Sequence, residues 1–362
     1  MKVLPLLVLC LESLVLAVPR YALLNGTSCS HCHVDPAGGG IRTEHGIDIV
    51  SQLELPWTPK ATTYTGALGQ HLRMGGDLRF LTYSYPDTGR LSRQTLMFPM
   101  QMDAYLIWDS RDGLTASLEQ DLGSRQGRFW IRQAWGRYSL RAGIFQPDFG
   151  WKLPDHTAFI RAGNSRPRFG LPREGLPFQQ RVYPAGVEGA WQSGRTRLVL
   201  ALTNGFLTGK NLQNGRSETW NQKARSLKIE RVLGRGPLRG LAAVSLVKEG
   251  KASLAGIQGG WNWGWWTWLG EADRMLNVEP GVPSLATYSR LLLSPHQGLE
   301  GSLTWEFFDH DIRYANNALN RLSVGINWTP VPFLEIVLEN RWFRTEAGTQ
   351  RPETLLLIHS WF

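Results

Sequence analysis

The chain has 362 residues, 19% of them charged and 42% hydrophobic, with 39 glycines and 16 tryptophans. So low a charge density with so many indoles departs from an ordinary soluble domain and fits aromatic belts at a membrane interface. The formal charge is +9, but the arginines recur singly along strand-like runs instead of gathering on one face, which argues against a nucleic-acid partner and for cations lining a pore or meeting anions.

The first predicted element is a targeting segment. Met1 and Lys2 make a weakly positive start. Residues 3–18 are almost wholly apolar, broken by Pro5, Glu12 and Ser13, and Val15-Leu16-Ala17 suits cleavage after Ala17. Residues 1–17 therefore read as a secretory signal peptide. The run is too short, and too interrupted at Glu12, for a spanning helix. Cys10 would leave with it, since Leu9 is the wrong size for lipoprotein cleavage. The mature chain then keeps only Cys29 and Cys32.

Cys29-Ser30-His31-Cys32-His33 follows and reads C-x-x-C-H. Two thiols three residues apart can bond the two vinyl groups on one porphyrin edge, and the next histidine is carried under the iron as proximal ligand. The expected cofactor is one covalent haem c, held by Cys29 and Cys32 and ligated by His33. A C-x-x-C disulfide or half of a zinc site are the alternatives, although zinc wants about four ligands and no second cysteine pair exists. His45 is the first candidate for the distal position, with His71 and Met74 behind it and an open site as the remaining option. Arg42 is a candidate partner for a haem propionate. Gly38-Gly39-Gly40 allow close backbone approach to a flat ligand, or form a plain linker. Residues from about Leu53 to Gly69 are rich in Pro and Thr and read as a connector. Residues 18–70 thus form a monohaem cytochrome c segment plus connector, too small to enclose a haem alone.

From residue 71 to 362 the dominant period is two, which reads as an outer-membrane β-barrel. Leu322, Val324, Ile326 and Trp328 alternate with Arg321, Ser323 and Asn327. On another strand Leu96, Phe98, Met100, Met102, Ala104, Leu106 and Trp108 share one face, against Gln101 and Asp103. About sixteen strands are expected, at 73–85, 94–108, 112–122, 127–137, 138–146, 182–192, 195–204, 225–234, 238–248, 252–263, 264–275, 286–294, 299–308, 319–329, 332–343 and 353–362. A soluble antiparallel sandwich shows the same alternation. Loop lengths favour the barrel: alternate connections are tight turns, and most of the others are longer, above all 147–181 and 205–224. The fold expected is all-β, a transmembrane antiparallel barrel of about 16 strands with a short N-terminal haem segment.

The tryptophans from Trp261 to Trp268 read as a periplasmic interfacial girdle. The loop at 147–181, with Arg161, Arg166, Arg168, Arg173 and Arg181, either folds into the pore, docks a partner outside, or is a solvated loop. Asp309-His310-Asp311 is a weak metal signal beside a solvated-loop reading.

A signal peptide, a single C-x-x-C-H and a barrel ending in Phe362 together resemble the fused outer-membrane porin–cytochrome proteins of iron-oxidising bacteria. The match in motif rests on Cys29, Cys32 and His33. Gly143-Ile144-Phe145-Gln146-Pro147-Asp148-Phe149-Gly150 is similar to the strand-to-loop passage of phosphate-selective-type porins. The first resemblance implies electron transfer across the outer membrane, with a periplasmic electron-carrier cytochrome on one side and an extracellular donor or acceptor, such as Fe(II)/Fe(III), on the other. It implies a redox carrier more than a turnover enzyme. Outer-membrane lipid would surround the barrel, and a homotrimer is among the assemblies open to it. The alternatives are a porin-like solute channel with an N-terminal plug and a haem peroxidase-type enzyme.

Overall fold

The computed structural model describes residues 21–23, 31–35, 40–86, 92–123, 126–153, 155, 157–163, 171, 173–178, 182–207, 223–235, 237–345, 348–349 and 352–362. The signal-peptide reading, Cys10, Cys29, Gly38, Gly39, Arg166, Arg168 and Arg181 lie outside them.

The strands are β1 (Leu72–Pro86), β2 (Arg93–Asp109), β3 (Leu114–Asp121), β4 (Gly127–Trp135), β5 (Tyr138–Ile144), β6 (Ala185–Ser193), β7 (Thr196–Asn204) and β8 (Lys223–Arg235). They continue as β9 (Leu238–Glu249), β10 (Ala252–Trp263), β11 (Trp266–Leu276), β12 (Pro283–His296), β13 (Leu299–Asp309), β14 (Ala318–Val331), β15 (Leu334–Thr345), β16 (Gly348–Thr349) and β17 (Glu353–Trp361). Each long strand pairs antiparallel with its sequence neighbours. β17 pairs with β15 and returns to β1 with Asp77 opposite Trp361, so the sheet closes on itself. β16 is a two-residue hook on the last loop, and the other sixteen strands form the wall. Closure leaves no free sheet edge around the seam.

The direction of the alternation separates a barrel from a sandwich. Leu322, Val324, Ile326 and Trp328 of β14 are exposed, whereas Arg321, Ser323 and Asn327 are buried. In a soluble sandwich the apolar row would be the hidden one. An apolar outside around a charged inside is what a lipid-embedded cylinder requires. No helix among the described residues is long and apolar enough to cross a membrane.

The wall is uneven. β3 to β7 have 7 to 9 residues each, whereas β8 to β15 have 11 to 14. Tight turns close one end, as at Gly136-Arg137 and Gly264-Trp265. The other end carries the long connections, including 145–184.

One expectation fails at a β-bulge. Arg79 of β1 faces Gln101 while Phe80 faces Pro99, so Met100 is the extra residue on β2. A bulge of one residue inverts the faces beyond it. Met102, Ala104, Leu106 and Trp108 stay on the outer face, but Leu96 and Phe98 turn to the luminal side, opposite Tyr83 and Leu81. The apolar face read as continuous from Leu96 to Trp108 is therefore two faces.

The core sits inside the barrel. Phe149, Trp151, Phe159, Phe178, Phe206, Phe308 and Phe343 form one buried cluster in the lumen.

Candidate functional site: a lumen filled from both ends

The N-terminal segment enters at the short-turn end. Its helix Gly46–Glu54 is a π-helix preceded by His45. Gly46 is required by a close approach, since a Cβ there would collide with the carbonyl oxygen of Cys32. The helix backbone therefore lies directly on Cys32. His33 forms an antiparallel bridge with Arg42, and Thr43 N–H donates to the Cys32 carbonyl at 2.9 Å. Cys32 is buried with Val50, against Tyr21 and Leu55.

This folded segment is bolted to the wall. Asp35 accepts from Arg141 of β5 at 2.8 Å and from Arg128 of β4 at 3.3 Å, all three side chains being buried. Arg128 also pairs with Glu119, and Arg141 with Glu188. Arg132 Nη1 donates to the Val34 carbonyl at 3.1 Å. Val34 and Ile41 pack with Tyr105, Ile107, Trp130 and Phe145. The seam contributes too: Trp361 Nε1 donates to Ser51 Oγ at 2.9 Å, and the Arg42 guanidinium lies 4.9 Å above the Trp361 ring. The connector then runs under the short turns. Gln297 Nε2 donates to the carbonyls of Leu53 and Pro56, and Trp57 stacks on His296 at 4.1 Å. Gly298, at φ 77°, faces the Trp57 backbone so closely that no side chain fits there.

The loop between β5 and β6 fills the lumen from the other end. Of the three readings open for it, the structure adopts the first: it folds inward. Arg161 is fully buried and pairs with Glu271 at 2.7 Å and Asp273 at 3.0 Å, both on β11. Trp151 Nε1 donates to the Gly270 carbonyl, and Trp151 N–H to Glu271. Asp155 bridges Arg321 of β14 and Arg341 of β15 at 3.1 and 2.9 Å. Burial alone would raise the Asp155 pKa, but Arg341 and Arg321 hold its carboxyl well below the usual carboxylate range. Asp148 joins Arg197 of β7 and Lys228 of β8. A loop supplying both acids and bases to an oppositely charged inner wall is satisfied only inside it.

Among the sequence candidates, Cys32 and His33 are buried together in the N-terminal insert. The His45 ring lies 4.7 Å from that of His31, edge to face. Arg42 is half-buried at the seam over Trp361. His71 lies elsewhere, exposed at the short-turn rim with Nδ1 at 2.7 Å from the Asp109 carbonyl. Met74 is exposed on the outer face of β1 and leaves the set of iron-ligand candidates. Asp311 pairs with Arg313 instead of joining His310, and no metal-holding group of three such residues occurs among the described residues.

Sequence reasoning missed Asp35, Arg128, Arg141 and Asp155. Their pairings span about a hundred residues or more, so no local pattern signals them. The donor set fits a c-type haem: a thiol and an imidazole on consecutive buried residues, apolar walls from Tyr21, Val50 and Leu55, and the Arg42 cation close by in sequence.

No family model and no curated protein matches the chain. Solved structures do. The Pseudomonas putida OprB structure has a TM-score of 0.56 at 8% identity, covering 81% of this chain and 94% of that one. A loop-deletion mutant of OmpT, an outer-membrane protein of Vibrio cholerae, gives 0.54 at 10%, covering 80% and 99%. A mutant of the Rh. blastica porin gives 0.52 at 11%, covering 80% and 100%. At such identities the likeness establishes the fold, a closed porin-type barrel, and that fold is consistent with the outer membrane.

Proposed function

We propose that this protein is an outer-membrane barrel of the porin type whose lumen is closed by its own N-terminal segment. The observation that carries the reading is the double filling of the lumen, with Asp35 tied to β4 and β5 from one end and Arg161 tied to β11 from the other. Such a barrel is a channel-type protein with a built-in plug rather than an open pore.

A second reading, electron transfer, is favoured by one further observation: Cys32 and His33 are buried in the plug, directly before Val34 and Asp35, which are tied to β4 and β5. In this reading Cys29 and Cys32 would hold one haem c by thioether bonds, His33 and, as the second candidate, His45 would ligate its iron, and Arg42 would pair with a propionate. When bound, the haem supplies one-electron exchange between Fe(II) and Fe(III). Cys32 and His33 are buried in the plug, and the barrel wall would be the shell that a segment of this size cannot build for itself. A periplasmic electron-carrier cytochrome would then meet the short-turn face, and an extracellular donor or acceptor the long-loop face.

The test takes outer-membrane fractions of cells expressing the full chain. A haem-stained band and a low-spin c-type absorption spectrum are expected, both lost in Cys32→Ala, with the folded barrel retained. A colourless, correctly exported protein overturns the haem reading and leaves the plugged channel. Planar-bilayer conductance separates the rest: the intact chain conducts little, and removal of residues 18–60 raises conductance severalfold. Full conductance by the intact chain overturns the plug.

A further inference from the structure

The outer face of β8 to β11 carries a cluster of cations at its long-loop end. Arg225 of β8 stands directly opposite Lys248 of β9, which in turn faces Ser253 of β10. Both cations are exposed and point away from the lumen, since their neighbours Ala224 and Val247 are buried inside it. Cross-strand residues on one face hold their Cβ atoms about 5 Å apart, and like charges so placed repel. Lys223, two residues along β8, and Lys251, in the adjacent turn, add to the cluster. Arg274 of β11 extends it one row toward the bilayer, opposite Ala255.

Nothing on these strands neutralises the group. Every acid of β8 to β11, namely Glu230, Glu249, Glu271 and Asp273, is buried on the luminal side. The nearest outward acid on the neighbouring strands is Asp309, two strands beyond Arg274 and therefore roughly 10 Å away. Lys223 Nζ donates to Asn204 Oδ1 at 2.5 Å and Lys248 Nζ to the Lys251 carbonyl at 3.2 Å, both neutral acceptors. Directly below the cations the same face becomes apolar, with Ile229, Val244, Leu246 and Ile257 exposed.

We propose that this patch binds the phosphate groups of an anionic lipid in the external leaflet, one carrying closely spaced phosphates above several acyl chains. The cations lie where the wall leaves the hydrocarbon, so phosphates there relieve the Arg225–Lys248 repulsion by charge-assisted hydrogen bonds. The acyl chains then follow the apolar rows beneath. The inference rests on the outer-membrane reading with the long-loop end outward, and it is independent of whether the plug carries haem.

Purified full-length protein in detergent is titrated with bisphosphorylated lipid A, with the same lipid after dephosphorylation, and with inorganic phosphate. The intact lipid binds. Arg225→Gln with Lys248→Gln weakens it about tenfold or more. Arg111→Gln with Arg137→Gln, an equal charge change at the short-turn rim, leaves binding unchanged, and inorganic phosphate at the same concentration does not displace the lipid. Heat-dependent gel mobility checks that each barrel is folded, and Arg225→Lys retains binding. If the double variant does not fold, Lys223→Gln with Arg274→Gln carries the same comparison. Equal affinity in the patch variants, an equal loss in the rim variant, equal binding of the dephosphorylated lipid, or displacement by free phosphate each overturns the proposal.

Discussion

The two inserts that fill the barrel are held in different ways. The β5–β6 loop is anchored by the fully buried Arg161 pairs and the half-buried Asp155 pairs, and its aromatics belong to the main core. The described part of the N-terminal segment is tied by the Asp35 carboxylate, by a small apolar cluster with Leu23 reaching the main core, by single hydrogen bonds from Arg132 and Trp361, and by backbone contacts to turns. Removing one partner of a buried ion pair strands a charge in a dry place, so the loop is locked to the fold. The N-terminal segment has fewer such ties, and its connector bonds lie at the exposed rim. The lesson is that one filling is part of the barrel, whereas the other is a module seated in it.

The sharpest way to break this contrast is Arg161→Met. It leaves Glu271 and Asp273 buried without their cation and should cost about 3–5 kcal/mol, read as a lower urea midpoint for the whole barrel in detergent. A loss confined to the loop would make the two inserts alike. Asp35→Asn should cost less, about 1.5–3 kcal/mol, because Arg128 and Arg141 keep Glu119 and Glu188. Its effect should appear as faster amide exchange in residues 40–54 with the barrel midpoint nearly unchanged. Trp57→Ala, which removes the His296 stack, should cost about 1 kcal/mol and be visible only as easier proteolysis of the connector.

The smallest effect is a pH response. Burial pushes the Glu54 carboxyl up to about 7, and its Oε1 has no hydrogen-bond partner among the described residues. The folded-state pKa is raised, so the stabilisation belongs to the protonated form and is lost as pH rises through 7. Amide exchange in the π-helix should therefore speed up between about pH 4.5 and 7 beyond its intrinsic rate and level off above that, and Glu54→Gln should abolish the excess. An unchanged excess in that variant would assign the response to another group.

The wall was legible in the sequence because its signal is local. Period two and turn residues place each strand within a few residues, as β9 (Leu238–Glu249) and β14 (Ala318–Val331) show against the expected 238–248 and 319–329. The bulge at Met100 was not legible, because Leu96 to Trp108 alternates without a break in composition and only the partner strand shows the inversion. The motif at Cys32 and His33 declares itself by spacing. Its surroundings do not: Asp35, Arg128 and Arg141 meet only after the barrel has closed. The inward course of the β5–β6 loop was one of three open readings, since Arg161 looks the same in a solvated loop as in an ion pair with Glu271.

The seam between the first and last strands bears on assembly. Ser51 and Arg42 rest on Trp361, and Phe362 exchanges backbone hydrogen bonds with Gly76 at 2.9 and 3.0 Å. The amino-terminal segment thus finds its seat completed only when β17 has joined β1. The amino-terminal stretch must wait, tethered but undocked, until the cylinder is sealed. Cys32, buried once the segment is seated, stays open to solvent for as long as that seat is incomplete.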